Sequence, residues 1–126
     1  MKIAIVGGGI GGLAAALALE QRGFDVTVFE QAAELRVLGV GINLLPHAVG
    51  VLTGLRLRDK LAATCIDAQE IVFMNRFGQE ILVDPRGLAA GYEHPQYSIH
   101  RGELQMILYE AACARLGAER VRTGHK

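Results

Sequence analysis

The stretch Lys2 to Glu30, KIAIVGGGIGGLAAALALEQRGFDVTVFE, constrains the fold more than any other part of the chain. Lys2 to Val6 predicts a short buried strand, Gly7 to Gly12 a tight turn, Leu13 to Arg22 a helix, and Asp25 to Glu30 a second strand. Together these make one βαβ unit. Gly7, Gly9 and Gly12 fall at G-x-G-x-x-G spacing, directly after the strand and where the helix opens. Their physical tasks differ: the first permits a sharp turn, the second lets backbone approach a pyrophosphate, and the third lets the helix lie close on the sheet. The helix N-terminus then offers unpaired N–H groups and about half a positive charge to the phosphates of a dinucleotide. Glu30 completes the unit, because a carboxylate at the end of the second strand accepts hydrogen bonds from the hydroxyls of the adenosine ribose. A charge-assisted bond of that kind contributes roughly 1.5–3 kcal/mol. An acid here repels a 2′-phosphate, so the expected dinucleotide is FAD or NAD, not NADP.

Two plainer readings compete. One is a glycine turn of purely structural use. The other is a secretory leader, from Met1, Lys2 and the apolar run to Ala18, but the glycines would break the helix that such a leader needs, and its basic part is Lys2 alone. With 126 residues the chain is long enough for one domain with a core, and short for an enzyme that holds two cofactors. Thirteen basic and thirteen acidic side chains leave no net charge, so neither a nucleic acid nor an anionic membrane is an expected partner. The apolar share of 51% fits a buried parallel sheet or a piece of a larger protein, while the glycines divide any run long enough to span a bilayer. Cys65 and Cys113 lack metal-type spacing and are expected to be buried free thiols in a reducing cytoplasm; no metal site is expected.

Downstream, Gln31 to Gly41 reads as a loop leaving the carboxyl end of a strand, where open α/β sheets bind ligands. Arg36 in that loop either turns towards the nucleotide or is solvated. Gly39 and Gly41 either let backbone pass close to a flat ring or sugar, or are ordinary turn glycines. Pro46 to Ala63 predicts two short helices with Val49, Leu52, Leu55 and Leu61 inward, and His47 reads as a surface or capping residue. Glu70 to Asn75 and Glu80 to Asp84 predict a hairpin turning at Gly78. In the loop from Pro85 to Gln96, followed by Tyr97, the residues Tyr92, His94 and Tyr97 either line a pocket for a planar substrate or face solvent. Arg101 to Leu116 is the best helix of the second half, with a stripe of Leu104, Ile107, Leu108, Ala111, Ala112 and Leu116 stopped by Gly117. Arg101, a cation in a helical first turn, opposes the macrodipole unless an anion is near, which makes it a candidate phosphate or ribityl contact. Glu119 to Thr123 starts another strand. Some seventy residues containing a hairpin separate Glu30 from Arg101. That layout favours a flavoprotein over a nicotinamide dehydrogenase.

On these residues the whole chain resembles the N-terminal part of the single-component flavin monooxygenases, the aromatic hydroxylases with the p-hydroxybenzoate hydroxylase fold. The likeness rests on Gly7, Gly9, Gly12 and Glu30, on ELRVLGVGINLLPHAV, and on YSIHRGELQMIL. The last two stretches, with DPRGLAAGYEHPQ, are most similar to the 5-methylphenazine-1-carboxylate monooxygenase branch. The resemblance implies an α/β fold: a Rossmann-like FAD-binding βαβ unit with a β-containing insertion, truncated before the remaining sheet strands. Residues 1–126 would be the N-terminal part of the FAD-binding domain, including, over 68–100, the beginning of a β-rich substrate-binding module. It implies a cofactor-binding set of Gly7, Gly9, Gly11, Gly12, Glu30, Gln31, Arg36, Gly41, Ile42 and Arg101. It further implies reduction by NADH or NADPH, O2 activation as a flavin C4a-hydroperoxide, and hydroxylation of a small, phenazine- or salicylate-like aromatic substrate. No acid–base pair or nucleophile is evident, since the cofactor carries the difficult chemistry. The family's later Asp-Gly and Gly-Asp segments would follow Lys126, so an N-terminal portion that holds FAD weakly by itself is expected. Alternatives are a reductase or halogenase of the same fold, and a dinucleotide-binding fragment without activity.

Overall fold

The computed structural model describes residues 1–126. In chain order the elements are strand β1 (Lys2–Val6), helix α1 (Ile10–Glu20), β2 (Asp25–Phe29), β3 (Gly41–Leu44), α2 (Pro46–Gly54), α3 (Arg58–Thr64) and β4 (Ile66–Asp67). There follow β5 (Glu70–Met74), β6 (Glu80–Pro85), β7 (Tyr97–His100), α4 (Arg101–Leu116) and β8 (Val121–Arg122), with short 3-10 turns at Gly87–Ala90 and Ala118–Arg120. They divide into two compact units, Met1–Val40 with His100–Lys126, and Gly41–Ile99.

The first unit is a parallel sheet in the order β1-β2-β8, with Lys2 opposite Asp25 and Val28 opposite Val121. Both crossovers step the same way along the sheet. Because such crossovers are right-handed, α1 and α4 lie on one face, where they pack on each other. Leu13, Ala16 and Leu17 of α1, Leu104, Leu108 and Ala112 of α4, and Val26 and Val28 of β2 are at most 1% exposed and form the core between the layers. Burying each of the larger of these side chains contributes roughly 1.5–3 kcal/mol. Arg115 Nε donates to Glu20 Oε2 at 2.9 Å and ties the far ends of the two helices.

β1 departs from expectation. It is an edge strand, and only Ile3 and Ile5 turn towards the helices, while Lys2, Ala4 and Val6 are exposed, Val6 at 89%. An apolar run in sequence does not reveal that one sheet face is open. The helix also starts at Ile10, not Leu13, because Gly9 is extended (φ −74°, ψ 178°) and the chain turns helical immediately after it. It ends at Glu20 because the Arg22 and Gly23 N–H groups bond to Leu19 and Glu20 carbonyls in a tighter turn, and Gly23 takes φ +82°. β8 is shorter than the expected strand, since Ala118–Arg120 forms a 3-10 turn first.

In the second unit, α2 and α3 occupy the expected stretch, and Val49, Leu52, Leu55 and Leu61 are all buried. β5 and β6 form the expected antiparallel hairpin, with Gly78 at φ +77°. A small sheet in the order β3-β7-β4 was not foreseen. Neither Cys65 nor Cys113 is in a disulfide, and both are only partly buried, not fully so. No helix is long and apolar enough to cross a membrane.

Candidate dinucleotide-binding site

The turn between β1 and α1 is built by three distinct constraints. Gly7 adopts φ +112°, a conformation that L side chains rarely take, and its N–H continues the sheet by donating to Phe29 O at 2.7 Å. A Cβ on Gly12 would stand 2.0 Å from the Gly7 carbonyl oxygen, so the start of α1 lies directly against the turn. Gly9 and Gly11 differ: a Cβ on either would meet no heavy atom within 4 Å. The fold itself does not require glycine at position 9, and space in front of it is left open. No side chain caps α1, and the Gly9 N–H has no partner within the protein.

Glu30 stands beside this turn, one residue past β2. Its backbone is fixed by the ladder with β8 and the residues after it, since Glu30 N donates to Arg122 O at 2.8 Å and Glu30 O accepts from His125 N at 2.9 Å. Its carboxylate is fixed too: Oε2 accepts from Gly8 N at 2.6 Å and Oε1 from Ala32 N at 2.8 Å. Each oxygen keeps a further lone pair for an incoming hydroxyl. The N–H groups of Ala32, then Gly8, hold the Glu30 carboxyl below its usual range, against a smaller opposing effect of burial. A depressed carboxyl stabilises the folded chain above its ordinary value of 4.5, and that contribution fades as the pH falls through the folded value. The stability gap between the wild type and Glu30→Gln, measured by urea unfolding, is therefore expected to be constant near neutrality and to close in acid. A gap unchanged from neutral to acid pH contradicts the carboxylate's role.

A recess of about 470 Å³ opens next to Glu30, lined by Val6, Gly7, Phe29, Gln31 and His125 among others. The His125 ring meets Phe29 edge-on with centroids 5.8 Å apart, so the recess has an aromatic wall. Gly7, Gly9, Gly11, Gly12, Glu30 and Gln31 are thus gathered at the carboxyl end of β1 and β2. Arg101 opens α4 in the same unit, with its guanidinium packed over Gly39: a Cβ there would stand 2.7 Å from Arg101 Nε, and Gly39 has φ +123°. The cation at this helix start is accompanied by a cap, because His100 Nδ1 accepts from Gly102 N at 3.2 Å while Nε2 reaches Gly39 O at 3.0 Å. Arg36 is 72% exposed and bonded to Glu34, so nothing aims it at the turn. Gly41 and Ile42 are not in a loop; they begin β3 of the second unit.

Sequence reasoning missed two contributors. Gly8 is fully enclosed, and a Cβ there would press on Glu30 at 3.0–3.2 Å. Gln105 of α4 donates through Nε2 to Gly8 O at 2.9 Å. The signal for Gln105 was its amide beside the apolar stripe of α4, an uncharged polar group next to Leu104 and Leu108. In the second unit, His94 and Tyr97 line one recess with Arg58 and Asp67, whereas Tyr92 lines another with His47 and Arg86. Burial, then Asp67, raises the Tyr97 hydroxyl above its ordinary range.

Fold and turn together define a Rossmann-like dinucleotide-binding unit. The family model for the NAD(P)-binding Rossmann-like domain matches residues 5–38. Among known proteins, the phenazine 1,6-dicarboxylic acid hydroxylase PhzS of Lysobacter antibioticus is 52% identical over 97% of this chain and 30% of its own length. The 3-amino-4-hydroxybenzoate 2-monooxygenase of Streptomyces cremeus is 43% identical over 86% of this chain and 28% of its own. The crystal structure of Klebsiella pneumoniae HpxO complexed with FAD and uric acid superposes with a TM-score of 0.75 at 28% identity, over 98% of this chain and 31% of that one. By sequence and fold the chain is a homologue of the FAD-dependent aromatic hydroxylases, matching their N-terminal region. It spans about 30% of the length of these relatives.

Proposed function

We propose that this chain is the FAD-binding N-terminal region of a flavin-dependent monooxygenase that hydroxylates a small aromatic or heteroaromatic substrate with NADH or NADPH and O2. The observation that carries the reading is the pairing of an open space at Gly9, which the fold itself leaves unfilled, with a carboxylate locked beside it by Gly8 and Ala32. The residues fit the adenosine diphosphate half of FAD. The turn N–H groups from Gly9 onwards would take the diphosphate, with Gly11 leaving it room and Gly12 holding the helix start against the turn, and Glu30 would take the ribose hydroxyls. The recess between Gln31 and His125 has the size and aromatic wall to shelter adenine. Arg101 would neutralise a phosphate or bond the ribityl chain, and Gly41 and Ile42 would pass backbone along the flavin. For Arg36 the support is the relatives' similarity alone. Bound FAD would supply the electron transfer and oxygen activation that no side chain of this chain can perform.

The region 68–100, with its hairpin and β7, is the beginning of the substrate-binding module, and a phenazine- or hydroxybenzoate-like acid is the substrate class, by likeness to the relatives. A cytoplasmic setting fits two cysteines that form no disulfide. The protein carrying this region, supplied with NADH and then NADPH and a panel of aromatic carboxylic acids, is expected to consume oxygen in step with formation of a hydroxylated product. Nicotinamide oxidation with no hydroxylated product from any acid would point to a reductase instead.

A further inference from the structure

Gly8 is held from both sides. Its N–H donates to Glu30 Oε2 at 2.6 Å, and its carbonyl accepts from Gln105 Nε2 at 2.9 Å, across 97 residues of sequence. These two bonds act on different peptide planes: Glu30 holds the one between Gly7 and Gly8, and Gln105 holds the one between Gly8 and Gly9. Like the first, the second plane lies between two glycines, neither with a Cβ to restrict its rotation, and its carbonyl is held by Gln105. A trans peptide is a rigid plate whose C=O and N–H point in opposite directions. Fixing the Gly8 carbonyl on α4 therefore fixes the direction of the Gly9 N–H, which has no partner within the protein and borders open space.

We propose that Gln105 is a positioning residue of the dinucleotide site, locking the Gly8–Gly9 peptide so that the Gly9 N–H is presented to the diphosphate. The proposal rests on the dinucleotide reading above and deepens it. It also makes Gly8 the link between two subsites, since the carboxylate that takes the ribose clamps one side of the residue and Gln105 clamps the other. A preorganised donor costs the ligand nothing to orient, whereas a freely turning diglycine peptide must be ordered on binding.

The test uses the full chain and two probes, ADP-ribose, whose diphosphate carries the same charge from pH 5 to 8, and adenosine, which has no phosphate. Gln105→Leu keeps the size of the side chain and removes the donor. It is expected to weaken ADP-ribose about five- to tenfold, the worth of one hydrogen bond, and to leave adenosine unchanged. Gln105→Glu presents an ionised acceptor to the Gly8 carbonyl near neutral pH and a carboxyl donor once protonated, so its ADP-ribose affinity is expected to recover towards the wild-type value as the pH is lowered to about 5. Because the ionised side chain of Gln105→Glu would also repel the diphosphate, the rescue counts only together with the selective loss in Gln105→Leu. Gln105→Asn, which adds no charge and falls short of the Gly8 carbonyl, is expected to show that loss if Gln105→Leu folds poorly. Equal losses for both probes, or no loss in Gln105→Leu and no pH rescue in Gln105→Glu, would overturn the proposal. Glu30→Ala separates the two levels: if it loses ADP-ribose while Gln105→Leu does not, only the role of Gln105 falls, and if Glu30→Ala also binds as the wild type does, the dinucleotide reading falls with it.

Discussion

Gly12→Ala is expected to abolish cooperative folding of the first unit. The added Cβ would stand 2.0 Å from the Gly7 carbonyl oxygen and 3.4 Å from Ile5 Cγ2. The obstacle is backbone, so no rotamer change relieves it. Nor can the turn retreat, because Gly7 is already at φ +112° and its N–H is bonded to Phe29 O at 2.7 Å. The remaining escape is for α1 to lift from the sheet, which uncovers Leu13, Ala16, Leu17, Val26 and Val28 together. Overpacking against movable side chains typically costs about 1–3 kcal/mol. Against fixed backbone the cost belongs at or above the top of that range, a large share of the roughly 5–15 kcal/mol that holds a domain folded. Urea unfolding followed by circular dichroism is expected to show a broadened or missing transition. A variant within about 1 kcal/mol of the wild type contradicts the close approach of helix and turn.

Gly9→Val is expected to do the reverse, leaving the fold in place and removing the ligand. Two residues separate the two glycines, yet their surroundings are opposite. Gly9 has φ −74° and ψ 178°, which any residue adopts, and a Cβ there meets nothing within 4 Å. Glycine is much better than an aliphatic residue as helix N-cap, which sets the stability cost at about 1 kcal/mol. The isopropyl group, however, fills the space in front of the open N–H groups. A diphosphate cannot share that volume, so affinity for ADP-ribose or FAD is expected to fall at least about a hundredfold, equivalent to one or two charge-assisted hydrogen bonds lost. The pair of variants separates what the glycines do for the fold from what they do for the ligand.

Much of this was legible in local pattern. α4 occupies the expected residues, Arg101 to Leu116, because a long apolar stripe bounded by a glycine specifies both the face and the end. The hairpin at Gly78 and the inward faces of α2 and α3 were legible for the same reason. The start of α1 was not: glycines at positions 11 and 12 argue against a helix by propensity, and packing against Gly7 overrides that preference. β3 and β4 have four and two residues, too few for any alternation to register. At the site, the spacing of Gly7, Gly9, Gly12 and Glu30 located the turn and the acid, but not the enclosed Gly8 that joins them. The amide of Gln105 beside the α4 stripe was visible but its partner was not, because no local rule connects a helical amide to a carbonyl so far away in sequence. Arg36 shows the converse. A loop arginine near a ligand-binding end of a sheet is a reasonable candidate, and in the structure it is solvated and paired with Glu34.

The most direct measurement is a calorimetric titration of ADP-ribose into the wild-type chain and into Gly9→Val, with circular dichroism recorded on both samples. Saturable binding to the wild type and none to a Gly9→Val chain of unchanged spectrum is the expected result. A folded Gly9→Val chain that binds as well as the wild type would mean that no diphosphate rests on this turn.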